Sequence, residues 1–230
     1  MLRTKIAVSC FLSCALLVLS LPMWAADKVA NDEETLRNAA NVLQTMIDTK
    51  AVPTDVLAKA ECVIVLPSVK KFAVGIGGTG GRGPMSCRGG KNFSGKWSAP
   101  AMYTIGGASA GLQLGGSSTD YVLMLMSDSA VNKVLEGKVK VGTDITAAAG
   151  PGATAPTKEM ADALTYARVK GAFAGVSLSG VTLDPATDAN TRLYGKDISA
   201  KAIVTENEVK TTSGGKTLIQ VLDTKAGKHK

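Results

Sequence analysis

The chain has 230 residues, a net charge of +7 and aromatic residues at only 4%. That length suits one domain with a real core, and the charge suits anionic surfaces in general. It argues against a nucleic-acid partner, because the lysines are scattered rather than striped and few aromatics interleave them.

The first residues follow the plan of a secretory signal peptide: Arg3 and Lys5, an apolar run from Ile6 to Leu21, then small residues at Ala25 and Ala26. The expected organisation is a signal peptide over 1–26, a single domain over 27–206 and a polar, mobile tail over 207–230. The mature protein is expected in the periplasm or attached to the envelope. An uncleaved anchor fits less well, since the run falls short of the ~20 residues of a spanning helix. Lipidation at Cys10 or Cys14 fits less well too, because the residues before each match a lipoprotein signal poorly.

Residues Asn31 to Lys50 place Leu36, Ala39, Ala40, Leu43, Met46 and Ile47 on one helical face, with Asn31 and Glu34 spaced as an N-terminal cap. Pro53 then opens a short helical turn, and Cys62 to Leu66 reads as a strand stopped by Pro67. Phe72 to Gly78 and Met85 to Arg88 read as two strands joined by the glycine-rich residues 79–83. In Trp97 to Met126 the apolar phase slips at Gly106 and Gly107, which predicts a bulge. Gly115 to Ser118 reads as a turn, and Tyr121 to Met126 as a strand buried on both faces.

Beyond this, Asp128 to Leu135 reads as a helix capped by Ser127 and ended by Gly137. Lys138 to Thr146 alternates as a strand with one wet face. Met160 to Val169 has the composition of a helix, but Leu164, Tyr166 and Arg168 alternate as in a strand paired with Phe173 to Leu183, whose own phase slips at Gly180. Asp188 to Tyr194 and Ser199 to Thr205 read as short helices. The fold class is α+β: a strongly curved antiparallel sheet approaching a barrel, with an N-terminal amphipathic helix and short flanking helices.

Cys62 and Cys87 would meet an oxidising compartment, where a disulfide is the default; two buried free thiols are the alternative. A metal site has little support, with no C-x-x-C and a lone histidine at His229. No cofactor is expected.

Three motif matches fail on context. Gly75, Gly77 and Gly80 fit a dinucleotide fingerprint, but Gly83, Pro84 and another strand follow where a helix is needed. Gly107 to Gly111 fits the nucleophile elbow around Ser109, but strand pattern continues and His229 is the sole base. Ser68 and Lys71 fit a serine–lysine pair, but the serine should open a helix, and the companion motifs are missing around Ser127-Asp128-Ser129.

The segments Cys62-Val63-Ile64-Val65-Leu66-Pro67-Ser68, Trp97 to Met126 and Gly171-Ala172-Phe173-Ala174-Gly175-Val176-Ser177-Leu178 resemble, in order, the SYLF domain family of lipid-binding proteins, in its exported bacterial branch. The resemblance covers roughly Leu36 to Val204. It implies non-enzymatic binding of acidic phospholipids, phosphoinositides above all in eukaryotic relatives, with the amphipathic segment at the start implicated. Some relatives bind actin, which is not expected here, since nothing in the chain supplies their companion domains.

The helix over 31–50 carries Asp32, Glu33, Glu34 and Asp48 against Arg37 and Lys50, so packing on the sheet suits it better than lying on anionic lipid. The candidate lipid contacts are instead Lys70, Lys71, Arg82, Arg88, Lys91 and Lys96, expected on loops that share one rim. A structural or partner-binding envelope protein is the second reading, and a serine hydrolase built on Ser109 a distant third.

Overall fold

The computed structural model describes residues 21–74, 76–110, 115–149, 161–169, 172–174, 178, 180–206 and 208–227. In chain order they form α1 (Leu21–Asp48), α2 (Thr54–Leu57), β1 (Cys62–Val74), β2 (Ile76–Cys87), a 3-10 turn (Lys91–Phe93), β3 (Ala101–Ala110) and β4 (Gly115–Leu125). There follow α3 (Asp128–Glu136), β5 (Val139–Lys140), β6 (Ala147–Ala149), β7 (Ala163–Val169), β8 (Ala172–Ala174) and β9 (Thr182–Pro185). The last elements are α4 (Thr187–Tyr194), α5 (Ala200–Val204) and α6 (Ser213–Lys225). The strands make one sheet in the order β5-β9-β3-β2-β1-β4-β7-β6, with β8 also pairing β7. Every pair is antiparallel except β6 with β7.

The α+β fold with a curved antiparallel sheet is as expected. Its curvature fits the connection between β8 and β9, which pair near opposite edges. Six strand spacings in a flat sheet span about 29 Å. The eight residue steps from Ala174 to Thr182 reach about 26–29 Å fully extended, no more than that span, so a curled sheet, which brings the two edges closer, suits the connection.

The sheet is covered on both faces, which is why β1 and β4 read as near-continuous apolar runs. Cys62, Ile64, Leu66, Tyr121, Leu123 and Leu125 point into a core shared with Val131 and Val134 of α3 and Ile203 and Val204 of α5. Val63, Val65, Val122 and Met124 point the other way, against Leu43, Met46 and Ile47 of α1 and Leu218 and Leu222 of α6. The apolar face of α1 is therefore spent on the sheet. The helix also starts earlier than its pattern suggests, so Asn31 lies inside it, its carbonyl accepting from Thr35 Oγ1 at 2.9 Å, rather than capping it.

Pro67 does not end β1. The strand bulges there, gaining one residue against β4 between Leu66 and Val69 and one against β2 between Ile64 and Lys70. Ser68 takes φ 51°, and its N–H is satisfied by Asp120 Oδ1 at 2.8 Å. Residues 79–83 are not a loop but lie within β2, paired to β3 in unbroken register, and the strand read over Phe72 to Gly78 is divided between β1 and β2, whose Val74 and Ile76 pair with each other. Gly83 allows this, because a Cβ there would strike the Val65 carbonyl of the bulged strand. Gly106 and Gly107 likewise sit in regular pairing with Gly80 and Thr79, so the bulge expected in β3 is found in β1. Gly115 to Ser118 belong to β4 rather than to a turn.

The single strand read over Phe173 to Leu183 is two, β8 and β9, on different neighbours, with Gly180 at φ 85° before β9; residues 175–177 and 179 lie outside the described set. The alternation over Lys138 to Thr146 is right in its burial, with Val139, Val141 and Ile145 inside, but only β5 is strand, and the chain turns back at 142–144. Ser127 caps α3 as read, accepting from Ala130 N.

The segment after Glu206 is not a loose tail. Its helix α6 runs beside α1, with Leu218, Leu222 and Ala226 buried. Gly214 N–H donates to Glu33 of α1, and Lys225 Nζ lies 3.0 Å from Asp48 Oδ1.

Candidate functional site

Past the bulge, β1 turns Lys70 and Phe72 onto the face that α1 covers farther along. Lys70 lies between Gly80 and Ser118, and Phe72 between Gly78 and Gly116. Among the described residues Phe72 is the one large apolar side chain left exposed, at 62%. Its ring lies over Gly78, where a Cβ would come within 2.8 Å of Cζ, so the glycine keeps the ledge flat. Beside it a cleft of about 270 Å³ is lined by Thr35 and Asn38 of α1, Ser68, Lys70, Gly80 and Arg82.

The cations around this cleft differ in availability. Arg82 is in mid-β2, not at a hairpin tip, and its Nη1 lies 2.5 Å from Asp32 Oδ1. Arg192 of α4 reaches the other oxygen of Asp32 at 2.8 Å. Arg168 is tied to Asp120 at 2.6 Å, the same carboxylate that holds the bulge. Lys70 is exposed, and no hydrogen bond or ion pair to its ammonium is found among the described residues.

The six predicted contacts do not share one rim. Lys70 and Arg82 meet at the cleft. Lys71 points to the opposite face, its Nζ 5.7 Å from the centroid of the Tyr121 ring. Arg88 lies eight residues beyond Gly80 along β2, roughly 25 Å away at the strand rise of ~3.3 Å per residue. It is buried there, stacked on Trp97 and donating from Nη2 to the Gly227 carbonyl at 2.9 Å. Lys96 is exposed near that far end and Lys91 opens the 3-10 turn beside it; the Lys91 side chain is outside the described set.

Cys62 and Cys87 face each other across β1 and β2 and form the expected disulfide, with Cα atoms 4.0 Å apart. Nearby, Glu61 is pushed up to about 7 by burial, with the adjacent Asp128 carboxyl adding to it. Ser109 lies in β3 opposite Gly77, in extended strand where the elbow needs a sharp turn, and Ser68 sits in the bulge of a strand rather than at a helix start. His229 is outside the described residues. Among the described residues there is no group of three metal-ligating side chains, and no helix is long and apolar enough to cross a membrane.

A family model described as Ysc84, "Las17-binding protein actin regulator", matches residues 106–225. The chain belongs to the Ysc84 family. This is the family whose SYLF-type segments it resembles in sequence. Relatives include the SH3 domain-containing protein PJ696.02 of Schizosaccharomyces pombe, 34% identical over 190 residues, covering 79% of this chain and 43% of that protein. Protein YSC84 of Saccharomyces cerevisiae is 29% identical over 205 residues, covering 83% and 43%. The human SH3 domain-containing YSC84-like protein 1 is 31% identical over 188 residues, covering 76% and 54%. The chain thus spans less than half the length of these two yeast relatives and about half of the human one. Ysc84 relatives are named as regulators and SH3 proteins rather than as enzymes. The expectation that actin has no place is overturned by the description of the family as an actin regulator and by relatives named for Las17 binding.

Sequence reasoning missed Phe72 and Asp32. Phe72 became visible only once the bulge fixed its face. Asp32 reads as one more acid on a polar helix face, although it is the fully buried partner of two arginines.

Proposed function

We propose that this Ysc84-family chain binds anionic phospholipid surfaces without catalysing a reaction, in the periplasm or envelope, through the corner formed by Lys70 and Phe72. The observation that carries this is the exposed Phe72 ring on a glycine floor beside Lys70, whose ammonium has no partner among the described residues. Burying a phenylalanine contributes about 2 kcal/mol and a lysine at an anionic surface about 1 kcal/mol. Their sum corresponds to roughly a hundredfold partition, a weak and reversible attachment. Arg82 contributes to the local field although it is already paired with Asp32.

Flotation with phosphatidylglycerol and phosphatidylcholine vesicles at low and high salt tests the reading. Binding to the anionic vesicles that weakens with salt, and falls at least tenfold in Phe72→Ser, is expected. No vesicle association under any condition removes it.

A partner-binding role is the second reading, favoured by relatives named for Las17 binding. The same corner would then serve a protein surface, and Phe72→Ser would leave vesicle flotation unchanged. Turnover of an ester probe that is unaltered in Ser109→Ala would dispose of the hydrolase reading.

A further inference from the structure

At the far end of β2, Arg88 and Trp97 pair across an isolated bridge, and the guanidinium carbon lies 4.5 Å from the centroid of the indole. Both are more than nine-tenths buried, Arg88 at 5% exposure and Trp97 at 6%. A guanidinium carries five N–H donors and keeps its charge. One bond runs from Arg88 Nη2 to the Gly227 carbonyl, while Arg88 Nε and Trp97 Nε1 are buried with no partner among the described residues. No carboxylate of those residues lies within ion-pair distance; Asp223 of α6 acts on the guanidinium only through space.

A buried cation lacking a bonded counter-ion is a costly arrangement, and buried N–H groups are rarely left unpaired. The carbonyl end of α6 offsets only part of the charge. The orphaned donors belong to one stacked pair, and the neighbouring Gly227 is exposed.

We propose that Arg88 and Trp97 form a binding site for a singly charged oxyanion, a carboxylate or a phosphodiester, which enters beside Gly227 at the C-terminal end of α6. One buried cation takes one negative charge; a dianion would leave an uncompensated charge in the same low-dielectric space. The site is separate from the Lys70 cleft and stands whether or not that cleft meets lipid.

The chain has two tryptophans, so in a Trp24→Phe background Trp97 reports alone. Titration with acetate and with dimethyl phosphate, at constant ionic strength against chloride, is expected to give a saturable change in Trp97 emission. A response to acetate alone assigns a carboxylate, and to dimethyl phosphate alone a phosphodiester. Arg88→Met should lose the response while keeping its far-ultraviolet circular dichroism. If both anions match chloride, if Arg88→Met responds equally, or if sulfate binds as tightly as the monoanions, the proposal is overturned. Should Arg88→Met not fold, the chloride comparison on the protein with Arg88 intact decides alone.

Discussion

Replacing Asp32 by Asn keeps the side chain's shape and removes its charge, and the cost follows from its surroundings. The carboxylate is fully buried, with Arg82 Nη1 at 2.5 Å and Arg192 Nε at 2.8 Å, so α1, β2 and α4 meet on one group. Removing one partner from a buried ion pair costs about 3–5 kcal/mol. Here the arginines keep 37% and 27% of their side-chain surface in contact with water. They can turn outward once released, which places the loss near the low end, about 3 kcal/mol. For a urea dependence of about 2 kcal/mol per molar, the unfolding midpoint falls by roughly 1.5 M. A double-mutant cycle with Arg192→Met should show coupling of about 1 kcal/mol or more. A midpoint that moves by less than about 0.5 M would mean that Asp32 is not what docks α1 on the sheet.

The Cys62–Cys87 bond closes a sequence separation of 25 residues, which on the chain-entropy model stabilises the fold by about 3.5 kcal/mol. Cys62→Ala with Cys87→Ala should lose most of that in a denaturant melt, and a loss below about 1 kcal/mol would contradict the model. The Glu61 carboxyl, raised to about 7 by burial and by Asp128, binds its proton more tightly in the folded chain than in the unfolded one. Its favourable contribution is complete below the unfolded value near 4.5 and is lost as pH rises through about 7. Glu61→Gln should therefore gain on the wild type between pH 5 and 8, by about 1 kcal/mol after discounting for partial solvent screening. An unchanged difference across that range refutes the assignment.

Elements set by local chemistry were legible in the sequence. Ser127 and Gly137 bracket α3 as read, because capping is decided within a few residues. The apolar face of α1 was legible because its period is strict, and its packing on the sheet followed from its acidic outer face. What could not be read was decided across strands. Pro67 and Ser68 read as an end, yet Asp120 on β4 supplies the bond that lets β1 continue, and no local signal announces a partner 52 residues away. The glycines of β2 read as a loop because nothing in them shows the bulged β1 pressing against Gly83. The helix α6 escaped notice because Gly214 and Gly215 weaken its local propensity. Its stability comes instead from Leu218 and Leu222 packing beside α1. The disulfide was legible from the number of cysteines and the compartment expected for them, whereas the cation cluster failed because strand direction separates Lys70 from Arg88 and the face separates Lys70 from Lys71.

These errors share one cause, and it bears on where the molecule can meet a surface. A glycine-rich stretch read as loop puts its charges at a rim; the same stretch read as strand distributes them over two faces and along some 25 Å. Once α1 has spent its apolar stripe on Val63, Val65, Val122 and Met124, it has none to offer a membrane unless it leaves the sheet. Leaving would break the Asp32 ion pairs and the α6 contacts and expose much of one core. Phe72 needs no such rearrangement. It is already outside, and it precedes residue 106, where the match to the Ysc84 family model begins. The strands before that point, β1 and β2, stand at the middle of the sheet. The matched segment therefore cannot bury its own strands without them, and the corner that carries Lys70 and Phe72 belongs to the folding unit rather than to an appendage.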